Sequence, residues 1–284
     1  MKVLVTGAAG QLGASIQQLV QDRNIDGFTF VSKIDLDITD YNKVKLLLQN
    51  GLFNAVVNCA AYTAVDKAEQ DVELCHKINV TGAEVIAKAC NELQILLIHI
   101  STDFVFEGNV CAPRLEDDTT NPISVYGKSK LEGERKVLAQ LSNAIIIRTG
   151  WLYSAIGNNF FRTILRLASE RPALRIIYDQ TGTPTYALDL ADTILHILLN
   201  SDWQPGIYHY SNEGVASWYD FAVAIVRLAG KNVLIAPIRT NEYPTAAARP
   251  AYSVLDKNKI KLAFNIAIPH WQSSLEACIK KLNS

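Results

Sequence analysis

A chain of 284 residues, 49% hydrophobic and 19% charged, has the composition of an ordinary globular interior and enough length to bury a sizeable core. Its 27 basic and 28 acidic residues leave a formal net charge of −1, with no run of five like charges. That argues against a nucleic-acid footprint, a polybasic membrane patch and any partner held by bulk charge. The five cysteines (Cys59, Cys75, Cys90, Cys111 and Cys278) contain no Cys-x-x-Cys pair and fit a reduced compartment without a zinc knuckle.

The opening Met1-Lys2-Val3-Leu4-Val5-Thr6 is too short an apolar stretch for a signal peptide, and no apolar run approaches a membrane span, so a cytoplasmic protein is expected. Continuous β-branched or leucine-rich runs recur at residues 2–6, 28–32, 54–59, 95–101 and 144–148, the pattern of strands buried on both faces. Between them lie stretches with helical spacing, such as Leu12, Ile16, Leu19 and Val20, or Val80, Val85, Ile86 and Ala89. Strands alternating with helices predict right-handed crossovers and an α/β, doubly wound parallel sheet of the Rossmann type. After about Gly150 the helices (residues 159–170 and 218–228) are separated by longer loops such as Gly182-Thr183-Pro184-Thr185. The expected organisation is a dinucleotide-binding domain over 1–150 and a smaller, mainly substrate-binding portion over 151–284, partly interleaved with the first.

Gly7-Ala8-Ala9-Gly10-Gln11-Leu12-Gly13 follows the first strand and opens the first helix. Gly7 suits the tight turn, Gly10 lets backbone N–H groups approach a pyrophosphate, and Gly13 allows close packing of helix on strand. The G-x-x-G-x-x-G spacing points to the short-chain dehydrogenase group. At the end of the second strand, Lys33 favours the 2′-phosphate of NADP whereas Asp35 favours the free ribose of NAD, so the two readings stand side by side. Asp37 and Ile38 are candidates to bracket the adenine. After the third strand, Ala60, Ala61 and Thr63 let the backbone lie close to ribose and phosphates.

Tyr-x-x-x-Lys occurs twice, at Tyr41/Lys45 and at Tyr126/Lys130. Tyr41 belongs to a helix covering the sheet, whereas Tyr126 starts the helix that follows the strand ending in Ser101-Thr102-Asp103. Ligands of an open parallel sheet sit beyond the carboxyl ends of its strands, so Thr102 and Tyr126 should face one crevice. Residues i and i+4 share a helix face, placing the Lys130 ammonium beside the phenol, where a cation would lower its pKa. In this reading hydride passes to a substrate carbonyl, Tyr126 protonates the growing oxyanion, Thr102 orients that oxygen, and Lys130 also holds the nicotinamide ribose.

Together these residues resemble the dTDP-4-dehydrorhamnose reductase family of extended short-chain dehydrogenases. The likeness runs through Gly7–Gly13, residues 60–67, 101–106 and 125–130, then Arg148-Thr149-Gly150-Trp151-Leu152-Tyr153, Gly157-Asn158-Asn159-Phe160, Asp179-Gln180-Thr181-Gly182-Thr183-Pro184-Thr185 and Arg249-Pro250. The resemblance implies NADPH-dependent reduction (NADH possible) of the 4-keto group of a dTDP-linked 6-deoxyhexose to dTDP-L-rhamnose, in nucleotide-sugar and cell-surface polysaccharide biosynthesis. It implies Tyr126 as proton donor, Lys130 as its partner, Thr102 and Asp103 at the sugar, Trp151 packed on the substrate, and Arg249 against the nucleotide diphosphate. Some members form dimers bridged by a metal through a glutamate just after the third glycine. Ala14-Ser15 stand there in this chain, so no metal site is expected, and the expected state is a monomer or weak homodimer. Two competing readings are a dehydratase or epimerase, disfavoured because Phe104 occupies the position of the acid that elimination needs, and a non-catalytic regulatory subunit, opposed by the complete Thr102, Tyr126 and Lys130 set.

Overall fold

The computed structural model describes residues 1–283. In its first half, strands and helices alternate as β1 (Val3–Thr6), α1 (Gln11–Asp22), β2 (Phe28–Val31), α2 (Tyr41–Gly51) and β3 (Ala55–Asn58). There follow two short helices, α3 (Val65–Ala68) and α4 (Val72–His76), a wide turn of π-helix over Lys77–Gly82, then α5 (Ala83–Glu92), β4 (Leu96–Thr102), α6 (Val125–Gln140) and β5 (Ile145–Thr149). The strand order is β2-β1-β3-β4-β5, extended beyond β5 by Gly206–His209, with every neighbouring pair parallel. The order in which strands are added therefore reverses between β1 and β3, and a crevice opens there at the carboxyl ends of the strands.

Alternate residues of each strand point to opposite layers, and both layers are apolar. Val3, Val5, Val57, Ile98, Ile145 and Ile147 pack with α1, with the helix Ala187–Asn200 and with Phe264 on one face. Leu4, Val56, Leu97 and Ile146 pack with α2, α5 and α6 on the other. Burial on both sides is why these strands read as unbroken apolar runs. β2 departs from that pattern: Thr29 is exposed and Phe28 and Phe30 half-buried, because an edge strand has a neighbour on one side only.

Helix starts are set by local side chains. Asp40 caps α2 by accepting from the Lys43 amide, and Ser124 caps α6 by accepting from Gly127, which fixes Tyr126 in the first turn. Gly127 is itself required, since a Cβ there would stand 2.3 Å from the Phe104 carbonyl oxygen.

Beyond Thr149 a third apolar cluster gathers Tyr153, Phe161, Phe221 and Trp271. Small strand pairs tie it together: Ala173–Ile177 with Leu234–Ile238, Thr181–Gly182 with Ala216–Ser217, and Leu152–Tyr153 with Thr185–Tyr186. Among the described residues no helix is long and apolar enough to cross a membrane.

Candidate active site

A cavity of about 1030 Å³ runs along the carboxyl edge of the sheet, from the glycine turn after β1 to the aromatic residues beyond β5. Its floor is backbone. Gly7 takes φ +68, and a Cβ on it would lie 2.7 Å from the Ala60 nitrogen; a Cβ on Gly13 would lie 2.5 Å from the Gly7 oxygen. Gly10, Gln11 and Leu12 complete this turn along the cavity. α1 has no side-chain N-cap and no acid in its first turn, so its leading N–H groups and positive dipole end are left for an anion. A floor without side chains against an uncapped helix start fits a dinucleotide pyrophosphate.

The region after β2 separates the two basic and acidic candidates. Lys33 lines the cavity, whereas the Asp35 carboxylate is taken up locally, accepting from the Ser32 amide (2.8 Å) and hydroxyl (2.7 Å), which hold its pKa low. Asp37 likewise accepts from the Thr39 amide and hydroxyl while facing the cavity beside Ile38. Past β3, Ala60, Ala61 and Thr63 line the next stretch. Asn79, on the π-turn, holds that segment: its amide oxygen accepts from Tyr62 N (2.8 Å), and its amide nitrogen donates to the Tyr62 carbonyl and to Ser129 Oγ on α6. Periodicity suggested a plain helix here; the widened turn is what aims Asn79 inward.

Thr102, Asp103, Tyr126 and Lys130 come together where β4 meets α6. Thr102 Oγ1 caps the following turn by accepting from Phe104 N (3.2 Å) and donates to Asp103 Oδ1 (3.0 Å). The Phe104 ring packs edge-on against Tyr126, centroids 5.7 Å apart. Lys130 is 2% exposed and its Nζ donates to the Ile100 carbonyl at 2.6 Å. Burial lowers the lysine to about 8, opposed chiefly by Glu134.

The expectation that Lys130 depresses the phenol is not met. Burial pushes Tyr126 well above its ordinary value, with Asp103 adding to the rise and the Thr102 hydroxyl opposing it. The ammonium is turned to a main-chain carbonyl, and desolvation of the phenolate outweighs distant charges. Asp103 is also raised by burial, to about 6. Ser253 opposes that rise, yet Oδ2 is left without a well-formed hydrogen bond. The other Tyr-x-x-x-Lys lies outside the cavity, with Tyr41 and Lys45 both bound to Glu92.

The far wall is aromatic. Trp151 has φ +50, a left-handed conformation that costs energy for a bulky residue, and stacks on Trp218 with centroids 3.4 Å apart and planes 3° from parallel. Gly182 makes room for it, since a Cβ there would come within 2.6 Å of the indole. Phe160 packs on Trp218, and Phe160 and Phe221 extend the wall. In the sequence Trp218 and Phe221 stand out only as members of a helix and Phe160 only as the end of the Gly157-Asn158-Asn159-Phe160 block; a tryptophan in the first turn of a helix, next to a short strand, is the available signal. Arg249 also reaches the cavity, but its guanidinium is bidentate to Asp66 at 2.6 and 3.0 Å, joining distant parts of the chain at the rim. A second cavity of about 670 Å³, lined by Arg162, Arg166 and Lys231, shares only Gly157 and Asn158 with the first.

The sequence model of the family described as RmlD substrate binding domain matches residues 1–284. The chain belongs to that family. Among its relatives, the dTDP-4-dehydrorhamnose reductase of Aggregatibacter actinomycetemcomitans is 40% identical over 97% of each chain. The spore coat polysaccharide biosynthesis protein SpsK of Bacillus subtilis is 38% identical, over 100% of this family member and 98% of the relative. Of solved structures, a dTDP-4-dehydrorhamnose reductase from Clostridium acetobutylicum superposes with a TM-score of 0.95 at 41% identity, covering 100% of both chains. The Bacillus anthracis dTDP-4-dehydrorhamnose reductase in complex with NADP gives a TM-score of 0.94 at 37% identity, over 99% of this chain and 100% of that one.

Proposed function

We propose that this protein is an NADPH-dependent dTDP-4-dehydrorhamnose reductase, converting the 4-keto group of dTDP-4-dehydro-L-rhamnose to the alcohol of dTDP-L-rhamnose in nucleotide-sugar and cell-surface polysaccharide biosynthesis. One observation carries the reading: the uncapped start of α1 and the Thr102, Tyr126 and Lys130 group open into a single cavity. When bound, the nicotinamide supplies hydride to the keto carbon.

Tyr126 is the proton donor to the carbonyl oxygen. Its raised pKa suits that task in the reducing direction, because the phenol enters each turnover protonated at neutral pH. Thr102 hydrogen-bonds the same oxygen and supports the tyrosinate left behind. Lys130, mostly protonated at neutral pH, supplies the compensating charge and holds the ribose. Asp103, beside Thr102, bonds a sugar hydroxyl, and the Trp151–Trp218 stack offers an apolar face to the deoxyhexose ring. Gly7, Gly10, Gln11, Leu12 and Gly13 receive the pyrophosphate, Ala60, Ala61 and Thr63 the adjoining ribose, and Asp37 and Ile38 the adenine. Lys33 receives the 2′-phosphate, because it lines the cavity whereas Asp35, the acid that would select a free ribose hydroxyl, does not line it and is bonded to the Ser32 amide and hydroxyl. Arg249 acts through Asp66 to close the rim and contacts the diphosphate from that position. Residues 1–150 thus serve mainly the cofactor and residues 151–284 mainly the substrate, in a monomer or weak homodimer of the cytoplasm.

Mixing the purified chain with NADPH and dTDP-4-dehydro-L-rhamnose tests this reading. Loss of nicotinamide absorbance with formation of dTDP-L-rhamnose is expected. Tight NADPH binding with no turnover on any of a panel of dTDP- and UDP-linked keto sugars would overturn it in favour of an accessory subunit.

A further inference from the structure

Three consecutive residues of β4 engage three positions on one stripe of α6. The Ile100 carbonyl accepts from Lys130 Nζ at 2.6 Å, the Ser101 hydroxyl donates to Glu134 Oε1 at 2.5 Å, and the Thr102 hydroxyl lies within hydrogen-bonding reach of the Tyr126 side chain. Tyr126, Lys130 and Glu134 are spaced by four residues each, so they rise along one helix face in steps of one turn. Glu134 is the buried end of that stripe, 2% exposed, and its carboxylate is held from behind by Arg148 of β5, with Nε to Oε1 at 2.9 Å and Nη2 to Oε2 at 2.8 Å. Arg148 is anchored in turn by the Glu116 carbonyl and lies over the Phe106 ring.

We propose that Glu134 is a positioning residue for the reduction: the buried counter-charge that keeps the Lys130 ammonium on the Tyr126 stripe and locks that stripe onto the end of β4. This rests on the reductase reading above, in which the ammonium supports the tyrosinate.

The other groups around Lys130 cannot take that part. Cys59 at the end of β3 is raised by burial to about 12, Cys75 of α4 is raised likewise, and His99 of β4 is held neutral by burial and by Lys130 itself. Tyr126 on the same helix stays protonated. Asp103, ionised at neutral pH, is engaged by Thr102 rather than by the lysine, and the opposite charge that acts on the ammonium is that of Glu134. A purely structural pair would need only Arg148 and Glu134 to hold α6 against β5. It would not need the carboxylate one helical turn from the lysine, nor the Ser101 bond that ties it to the residue before Thr102.

The test compares the native chain with Glu134→Gln, Glu134→Asp and the double variant Glu134→Gln/Arg148→Met, which removes the ion pair without leaving a lone buried cation. Two readouts are followed: the pH titration of the Lys130 side-chain carbon in isotope-labelled protein without cofactor, assigned by its disappearance in Lys130→Arg, and the pH at which kcat falls on the alkaline side. Losing the carboxylate disfavours the ammonium, so both midpoints should move to lower pH by about one unit in the Gln variant, a tenfold change in the protonation equilibrium, and by less in the double variant, where the Arg148 cation has gone as well. The KM for the sugar nucleotide should hardly change, and Glu134→Asp, which keeps the charge, should leave both midpoints near their native values. Native midpoints in Glu134→Gln, with thermal stability recovered in the double variant, would reduce Glu134 to a structural partner of Arg148 and overturn the proposal. The lysine titration needs neither substrate nor NADPH, so a native chain that fails to reduce the keto sugar defeats the reductase reading without deciding the role of Glu134.

Discussion

On the side of the cleft formed by β1, α1 and the exit of β3, the surface is main chain and small residues: Gly7, Gly10, Gly13, Ala60 and Ala61. On the side formed by residues 149–160 and 218–221 it is aromatic side chain, led by the Trp151–Trp218 stack. The first region recognises by leaving room, since added Cβ atoms on Gly7 and Gly13 would stand 2.7 and 2.5 Å from neighbouring backbone. The second recognises by filling space, and Trp151 adopts a left-handed conformation to do so. A surface made of absences tolerates almost no substitution, whereas one made of side chains can be re-cut for another ligand.

Between the two sits the acid, and it should show the largest effect. Tyr126→Phe is expected to lower kcat about a thousandfold while leaving NADPH affinity nearly unchanged, measured by single-turnover kinetics and fluorescence titration. A near-native rate would remove Tyr126 from the mechanism and leave the cleft without a proton donor. Next, Gly13→Val should weaken NADPH binding by about a hundredfold, on the order of 3 kcal/mol of steric strain, with α1 still folded by circular dichroism. If the cofactor binds normally, the backbone floor is not where its phosphates lie.

On the opposite wall, Trp218→Ala should raise the sugar-nucleotide KM by about tenfold, the value of one good aromatic stack, without touching the NADPH dissociation constant. An equal loss for both ligands would erase the contrast between the two sides. Lys33→Ala is a smaller change at an exposed position and should cut the preference for NADPH over NADH about fivefold, read from kcat/KM with each cofactor at low salt.

Asp103 probes stability and runs in an unusual direction. Burial raises its carboxyl from 3.8 to about 6, so the folded state holds the proton more tightly than the unfolded one. Its stabilising contribution is therefore present below about pH 4 and is lost as pH rises through 6, leaving a penalty at neutrality. Asp103→Asn should remove that penalty, on the order of 2 kcal/mol and a few degrees in Tm at pH 7, while lowering activity. Calorimetry at pH 4 and pH 7 checks the sign, because the gain should vanish at the lower pH.

The backbone side of the cleft was legible from residues because its determinants are local. A strand, a glycine turn and a helix follow one another within Val3–Asp22, and the spacing of Gly7, Gly10 and Gly13 states the geometry directly. Choosing Tyr126 over Tyr41 needed only the order of strands, and Tyr41 does lie on the outside against Glu92. The aromatic side was legible in one member, Trp151; its partner Trp218 is remote in the chain, and no periodic pattern links the two. The choice between Lys33 and Asp35 was open for a similar reason, since it turns on which side chain Ser32 engages.

The amino-acid order by itself determined the doubly wound sheet, the phosphate turn and the Tyr126–Lys130 spacing, because alternating apolar runs, helical periodicity and the shape of glycine act over a few neighbouring residues. Only the tertiary structure decided the direction of the Tyr126 shift, the pairing of Arg249 with Asp66, the Trp151–Trp218 stack and the buried place of Glu134 behind Lys130. Desolvation and long-range pairing depend on which distant segments close over a group, and that is set when the layers pack.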